Sequence, residues 1–199
     1  QHIEEERTAS YLEVRRRTQQ CCRDFCKSPP SGIRHRKQMD ETKFWTIIDT
    51  SWNVDPALLE HKNSALKTIS HPETKDEHEP YIKAEALFLE AIRQQLNELT
   101  ADDLLAFDRI LERKLYDIDR EDVHEFTDGS DDGFLYCRGY IVAIGKSYYD
   151  AINANPEHAT YDCECESITY ISALLYEEKF GEMPRSEICR ETQSNQECW

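Results

Sequence analysis

Apolar positions recur at helical intervals along most of the chain. Lys43–Trp52 places Phe44, Ile47, Ile48 and Trp52 on one face. Tyr81–Leu99 sets Tyr81, Ala84, Phe88, Ala91, Ile92, Leu96 and Leu99 along a stripe, and the next helix, to about Asp117, turns Leu104, Phe107, Leu111, Leu115 and Ile118 inward. A further helix is predicted over about 132–153, stopped by "NANPEH", and a last one over about Cys163–Phe180. That last helix ends in the expected order, with Gly181 just past it and Pro184 beyond. Asp40 and Thr100 stand where N-caps belong, and Asp103 follows Thr100 at the capping-box distance. Between these segments, "TISHPETKDEHEP" (Thr68–Pro80) reads as a polar acidic loop. "DIDREDVHEFTDGSDDG" reads as an irregular acidic turn with a short helical piece. No useful period-two run, repeat or low-complexity tract appears. The pattern predicts an all-α protein, a compact bundle of about five helices around a central apolar helix (about 132–153), with an irregular N-terminal extension.

The predicted central helix lies in "SDDGFLYCRGYIVAIGKSYYDAI", Ser130–Ile152. Phe134, Cys137, Ile141, Ile144, Tyr148 and Ile152 make one stripe, and Leu135, Val142 and Tyr149 a second, so neighbours are expected on several sides. Gly133, Gly139 and Gly145 are spaced six apart, which turns each ~240° from the last. They are read as structural: Gly133 at the helix start, Gly139 and Gly145 each admitting a different neighbour. Ser130, Asp131 or Asp132 is expected to cap the helix start. Arg138, among apolar positions, needs a carboxylate or a bound anion. Asp49, Asp108, Glu177 and Glu178 are the candidate partners from sequence, and a substrate contact in a cleft is the other reading.

Charge divides the chain. Residues 1–38 hold nine Lys or Arg against five Asp or Glu, a net of +4; residues 39–199 carry −20, for a total of −16. "KSPPSGIRHRKQ" has linker chemistry. The organisation expected is therefore a basic extension or linker at 1–38, with one helix over Glu4–Arg17, a helical domain at 39–184 and a tail at 185–199. The acidic surface argues against nucleic acid and an anionic membrane as partners and suits a basic protein. No apolar run reaches the ~18 residues of a membrane span. The N-terminal stretch lacks the apolar core of a secretory signal, and the chain opens on Gln1, so a processed or truncated start and a cytoplasmic location are expected.

Catalytic and cofactor patterns are missing: no G-x-S-x-G, P-loop, H-E-x-x-H or dinucleotide-binding glycine pattern occurs. Neither a cofactor nor a metal is expected. The "DGSDDGF" turn lacks calcium-loop spacing, and His71 and His78 only flank the acidic loop. Eight cysteines, Cys21, Cys22, Cys26, Cys137, Cys163, Cys165, Cys189 and Cys198, form no C-x-x-C pair and are expected as reduced thiols, with Cys137 a small core filler.

"FWTIID", "LTADDLLAFDRILERKLYD", "SDDGFLYCRGYIVAIGKSYYDAI" and "YEEKFGEMP" occur in the order seen in the domain-of-unknown-function family 4240, and the chain resembles that family over about 39–184. The resemblance implies a small, mostly helical domain, found largely in bacteria, and carries over no activity. The acidic "DIDREDVHEFTD" stands where members carry a more apolar helix. Two classes of function follow. The favoured one is a non-catalytic acidic interaction or regulatory module, one form being an immunity-type inhibitor of a basic partner. The alternative is a small enzyme or ligand sensor with a cleft near Arg138 and the Asp131–Asp132 turn, drawing on Tyr136, Glu177 and Trp45.

Overall fold

In a computed structural model, the described residues are 39–72, 82–127 and 130–199. The predicted extension at 1–38, its helix, and most of the acidic loop with His78 lie outside them. Among the described residues eight α-helices follow in order: α1 (Glu41–Ser51), α2 (Pro56–Ser70), α3 (Ile82–Asn97), α4 (Ala101–Asp117), α5 (Glu121–His124), α6 (Asp131–Ile144), α7 (Lys146–Ala154) and α8 (Ile171–Phe180). Short 3-10 turns join some of them, notably Glu166–Tyr170. Among the described residues there is no strand, and no helix is long and apolar enough to cross a membrane.

The helix starts follow their local sequence. Asp40 accepts from Lys43 N at 2.8 Å, and Thr100 accepts from Asp103 N at 3.2 Å. Asp55 accepts from Ala57 N at 2.7 Å, with Pro56 in the first turn, and Ser130 accepts from Gly133 N at 3.1 Å. Asp103 does not close a capping box. Its carboxylate instead holds Met39 N at 2.9 Å, tying the domain entrance to α4. Helix α2 has no counterpart in the periodicity reading, because it buries only Leu58, Ala65 and Thr68 and carries a weak apolar face.

α6 is the central helix. Phe134, Leu135, Cys137, Tyr140, Ile141, Val142, Ala143 and Ile144 are all buried, on every side of it. The continuous helix predicted over 132–153 is two helices, because Gly145 takes φ +111°, outside the helical region, and turns the chain from α6 into α7. Trp52 reaches across to donate its indole N–H to Ala143 O at 2.7 Å, beside its stacked contact with Phe88. Gly139 makes the other close approach. A Cβ there would lie 2.5 Å from Cys165 O and 2.9 Å from Thr169 Cγ2, while Cys165 N donates to Tyr136 O at 3.0 Å. The Glu166–Tyr170 turn therefore lies directly on the α6 backbone. The segment predicted as helix from Cys163 is irregular, then 3-10, and becomes α-helical only at Ile171.

Gly145→Ala combines a left-handed backbone with a collision between its new Cβ and the Asp49 carboxylate, which Lys62 holds at 2.6 Å. The expected cost is about 2 kcal/mol, read as a lower midpoint in urea unfolding. An unchanged midpoint would show that the α6–α7 turn tolerates a side chain.

Candidate functional site

Arg138 has no exposed surface, and its partner is Asp119, at 3.8 Å, which is equally buried. Asp119 is none of the four carboxylates weighed from the sequence. Asp49 is paired with Lys62, Glu178 with Arg93, and Asp108 with Arg190 and Arg109. The guanidinium of Arg138 also donates to Leu115 O at 2.9 Å and Arg190 O at 3.1 Å, and it lies 4.8 Å from the Phe134 ring centre. Burial pulls its pKa down to about 10, with Asp119 opposing, so it is cationic at neutral pH.

Asp119 does more than balance that charge. It follows the end of α4 and turns its carboxylate toward the C-terminal segment. There it accepts from the backbone N–H groups of Gln193, Ser194 and Asn195 at 3.1, 2.7 and 3.0 Å and from the Ser194 hydroxyl at 2.9 Å. The indole N–H of Trp199 completes the set, at 3.2 Å from the carboxylate and 3.1 Å from Asp119 O. Residues 185–199, set apart by the sequence as a tail, are thus pinned to the bundle.

A second buried arginine enters from that segment. Arg190 donates to Glu112 Oε1 at 2.8 Å, to the two oxygens of Asp108 at 3.3 and 3.2 Å and to Thr169 O at 2.5 Å. Its guanidinium lies 5.1 Å from the Tyr170 ring centre. Burial works against its charge, yet Asp108 and Glu112 outweigh burial and raise its pKa above the ordinary value. Two buried guanidinium groups therefore shift in opposite directions. One has two carboxylates in contact, the other a single carboxylate at longer range. Asp108 and Glu112 are themselves held, by Ser172 Oγ at 2.7 Å and by Arg109 Nη1 at 3.0 Å, and Ser186 hydroxyl donates to Glu112.

The other sequence candidates do not gather around Arg138. Trp45 is buried on α1 against Phe44 and Tyr149, with its indole N–H on Glu41 at 3.2 Å. It edges an open hollow of about 320 Å³ lined also by Thr42, Thr46, Asp49 and Lys146. The charges there are already matched: Glu41 by Lys114 at 2.9 Å, which lowers the Glu41 pKa, and Lys146 by Asp150 at 2.5 Å. Tyr136 is half-buried against Leu135 and Tyr170, and Glu177 sits on α8, where its carbonyl accepts from Gly181 N at 2.8 Å. Asp131 and Asp132 open α6, and their side chains lie outside the described groups. Cys163 and Cys165 are buried thiols, and burial pushes Cys163 up to about 12. Among the described residues no three His, Cys, Asp or Glu side chains come together as metal ligands.

The periodicity held one unused signal. Glu112 falls, like the candidate Asp108, beside Leu104, Phe107, Leu111 and Leu115 on the inward stripe of α4. Arg190 and Asp119 lie in irregular segments, where spacing carries no burial information.

Removing Asp119 leaves a buried guanidinium without its carboxylate and three backbone amides without an acceptor. Asp119→Ala is expected to cost about 3–5 kcal/mol in urea unfolding. Asp119→Asn, which keeps an accepting oxygen, should cost less. A loss below about 1 kcal/mol for the alanine variant would mean that the carbonyl contacts alone hold Arg138.

No curated protein and no solved structure matches the chain. The family described as Protein of unknown function (DUF4240) matches residues 39–178, from the entrance of α1 to the last turn of α8. The chain belongs to that family.

Proposed function

We propose that the protein is a non-catalytic interaction module that binds a basic protein through its acidic exterior. The observation that carries this reading is where the charge sits. Residues 39–199 hold a net of −20. Among the described residues the buried charged ones are Asp108, Glu112, Asp119, Arg138 and Arg190, three negative against two positive, so they account for only −1 of that surplus. The Arg138 guanidinium is enclosed by Asp119, Leu115 O and Arg190 O and offers no open face, which weighs against a ligand cleft there.

One face suits such a partner best. Glu121, Asp122 and Glu125 are exposed around α5, which packs on the Pro156–His158 turn bearing exposed Glu157. Asp162 N donates to Thr127 O at 2.9 Å, bringing exposed Asp162 and Tyr161 alongside. Tyr161 is 66% exposed, an aromatic face among carboxylates, which favours Lys and Arg side chains of a partner.

The test is capture of partners by the immobilised chain at low and high salt, beside a Glu121→Lys/Asp122→Lys/Glu125→Lys variant. Captured protein should be basic, fall away as salt rises, and bind the variant at least about tenfold more weakly. A partner held equally by the variant, or indifferent to salt, would sink the reading.

A further inference from the structure

Residues 185–199 are fastened by polar groups. The fully buried members of the segment are Ser186, Arg190 and Asn195, with no apolar side chain among them. Directed bonds therefore hold the middle of the segment down, and Trp199 adds its ring against Phe134 and His124 at the end. Their centre is the socket that receives Arg190: the carboxylates of Asp108 and Glu112, one turn apart on α4, the carbonyl of Thr169 and the ring of Tyr170. Nη2 meets both carboxylates while Nη1 reaches the Thr169 carbonyl, and the plane of the group lies by the Tyr170 ring; a planar cation with two separated donors against an aromatic face is guanidinium recognition, and an ammonium ion has no second nitrogen for the carbonyl.

Every socket group belongs to α4 or to the Glu166–Tyr170 turn, outside the segment it receives. Ser172, on α8, and Arg109 hold the two carboxylates from the bundle side. The fit of Arg190 is also incomplete, since its buried Nε has no hydrogen-bond partner among the described residues. An arginine arriving at another angle forfeits nothing at that atom.

We infer that residues 185–199 are a latch that keeps a guanidinium-recognition socket closed with the chain's own Arg190, and that an arginine of a basic partner competes for the socket. The socket stands on geometry alone; the source of the competing arginine rests on the reading of a basic partner.

Hydrogen exchange on the full chain tests the competition, with hexa-arginine and hexa-lysine as probes. Hexa-arginine should speed exchange of the amides of Gln193, Ser194 and Asn195 by ~tenfold, and hexa-lysine should leave them protected. Unchanged protection at saturating hexa-arginine, or equal opening by both peptides, overturns the latch. Arg190→Ala tests the socket: ethylguanidinium at millimolar concentration should raise its thermal midpoint by roughly 3 °C over ethylammonium at equal ionic strength. Equal effects of the two ions overturn it. Should Arg190→Ala not fold unaided, refolding in ethylguanidinium supports the socket. Failure in both ions, where Arg190→Lys folds, overturns it. Rescue by ethylguanidinium and opening by hexa-arginine without any salt-sensitive partner would remove the basic-partner reading and keep the latch. Salt-sensitive capture with the latch still protected would do the reverse.

Discussion

Arg138 occupies the middle of the most enclosed helix in the bundle, and a charge in that place survives only if something answers it. Asp119 answers it, but at 3.8 Å, without a direct hydrogen bond. Its two terminal nitrogens donate to carbonyls, one of them belonging to Arg190. Asp119 in turn spends its oxygens on the amides of 193–195. Neither residue is satisfied by the other alone. Each needs the C-terminal segment, so a single buried charge obliges the bundle to fold a further stretch of chain against itself.

Arg190 repeats the device with a different balance. Its carboxylates come from α4, and its backbone carbonyl accepts from Arg138 on α6. The two networks are therefore one, joined through a single residue. The match to the family ends at residue 178, while Ser186, Arg190 and Asn195, which complete the buried polar set, lie past it. The family segment of this chain encloses carboxylates whose partners come from beyond it.

Period and punctuation made the all-α class, the central α6, the caps at Asp40, Thr100 and Ser130 and the end of α8 at Gly181 legible in the sequence. They failed where the physics is not periodic. Gly145 reads as one more close-packed position, yet its positive φ divides the helix, and no spacing rule marks which glycine will leave the helical region. α2 was passed over because its buried face is thin. Arg138 was identified as needing a carboxylate, but Asp119 lies in a turn whose burial depends on residues some 75 positions later, a relation no local window contains. Trp45, Tyr136 and Glu177 have the residue types of a site near the central helix, and type alone does not bring side chains together.

The separation between Asp119 and Ser194 has a consequence for how the chain is made. As the polypeptide leaves the ribosome, α4 is complete long before residues 186–195 exist. Until they emerge, Asp108, Glu112 and Asp119 have no Arg190 and no 193–195 amides to meet, and sealing them inside the bundle would leave Asp119 to Arg138 and the other two to Arg109 and Ser172. The apolar stripes can assemble early, but the junction of α4, α6 and α8 has to stay hydrated until the last turn arrives. Synthesis order thus makes closing the polar interior a late event, governed by residues that contribute almost nothing to the apolar core.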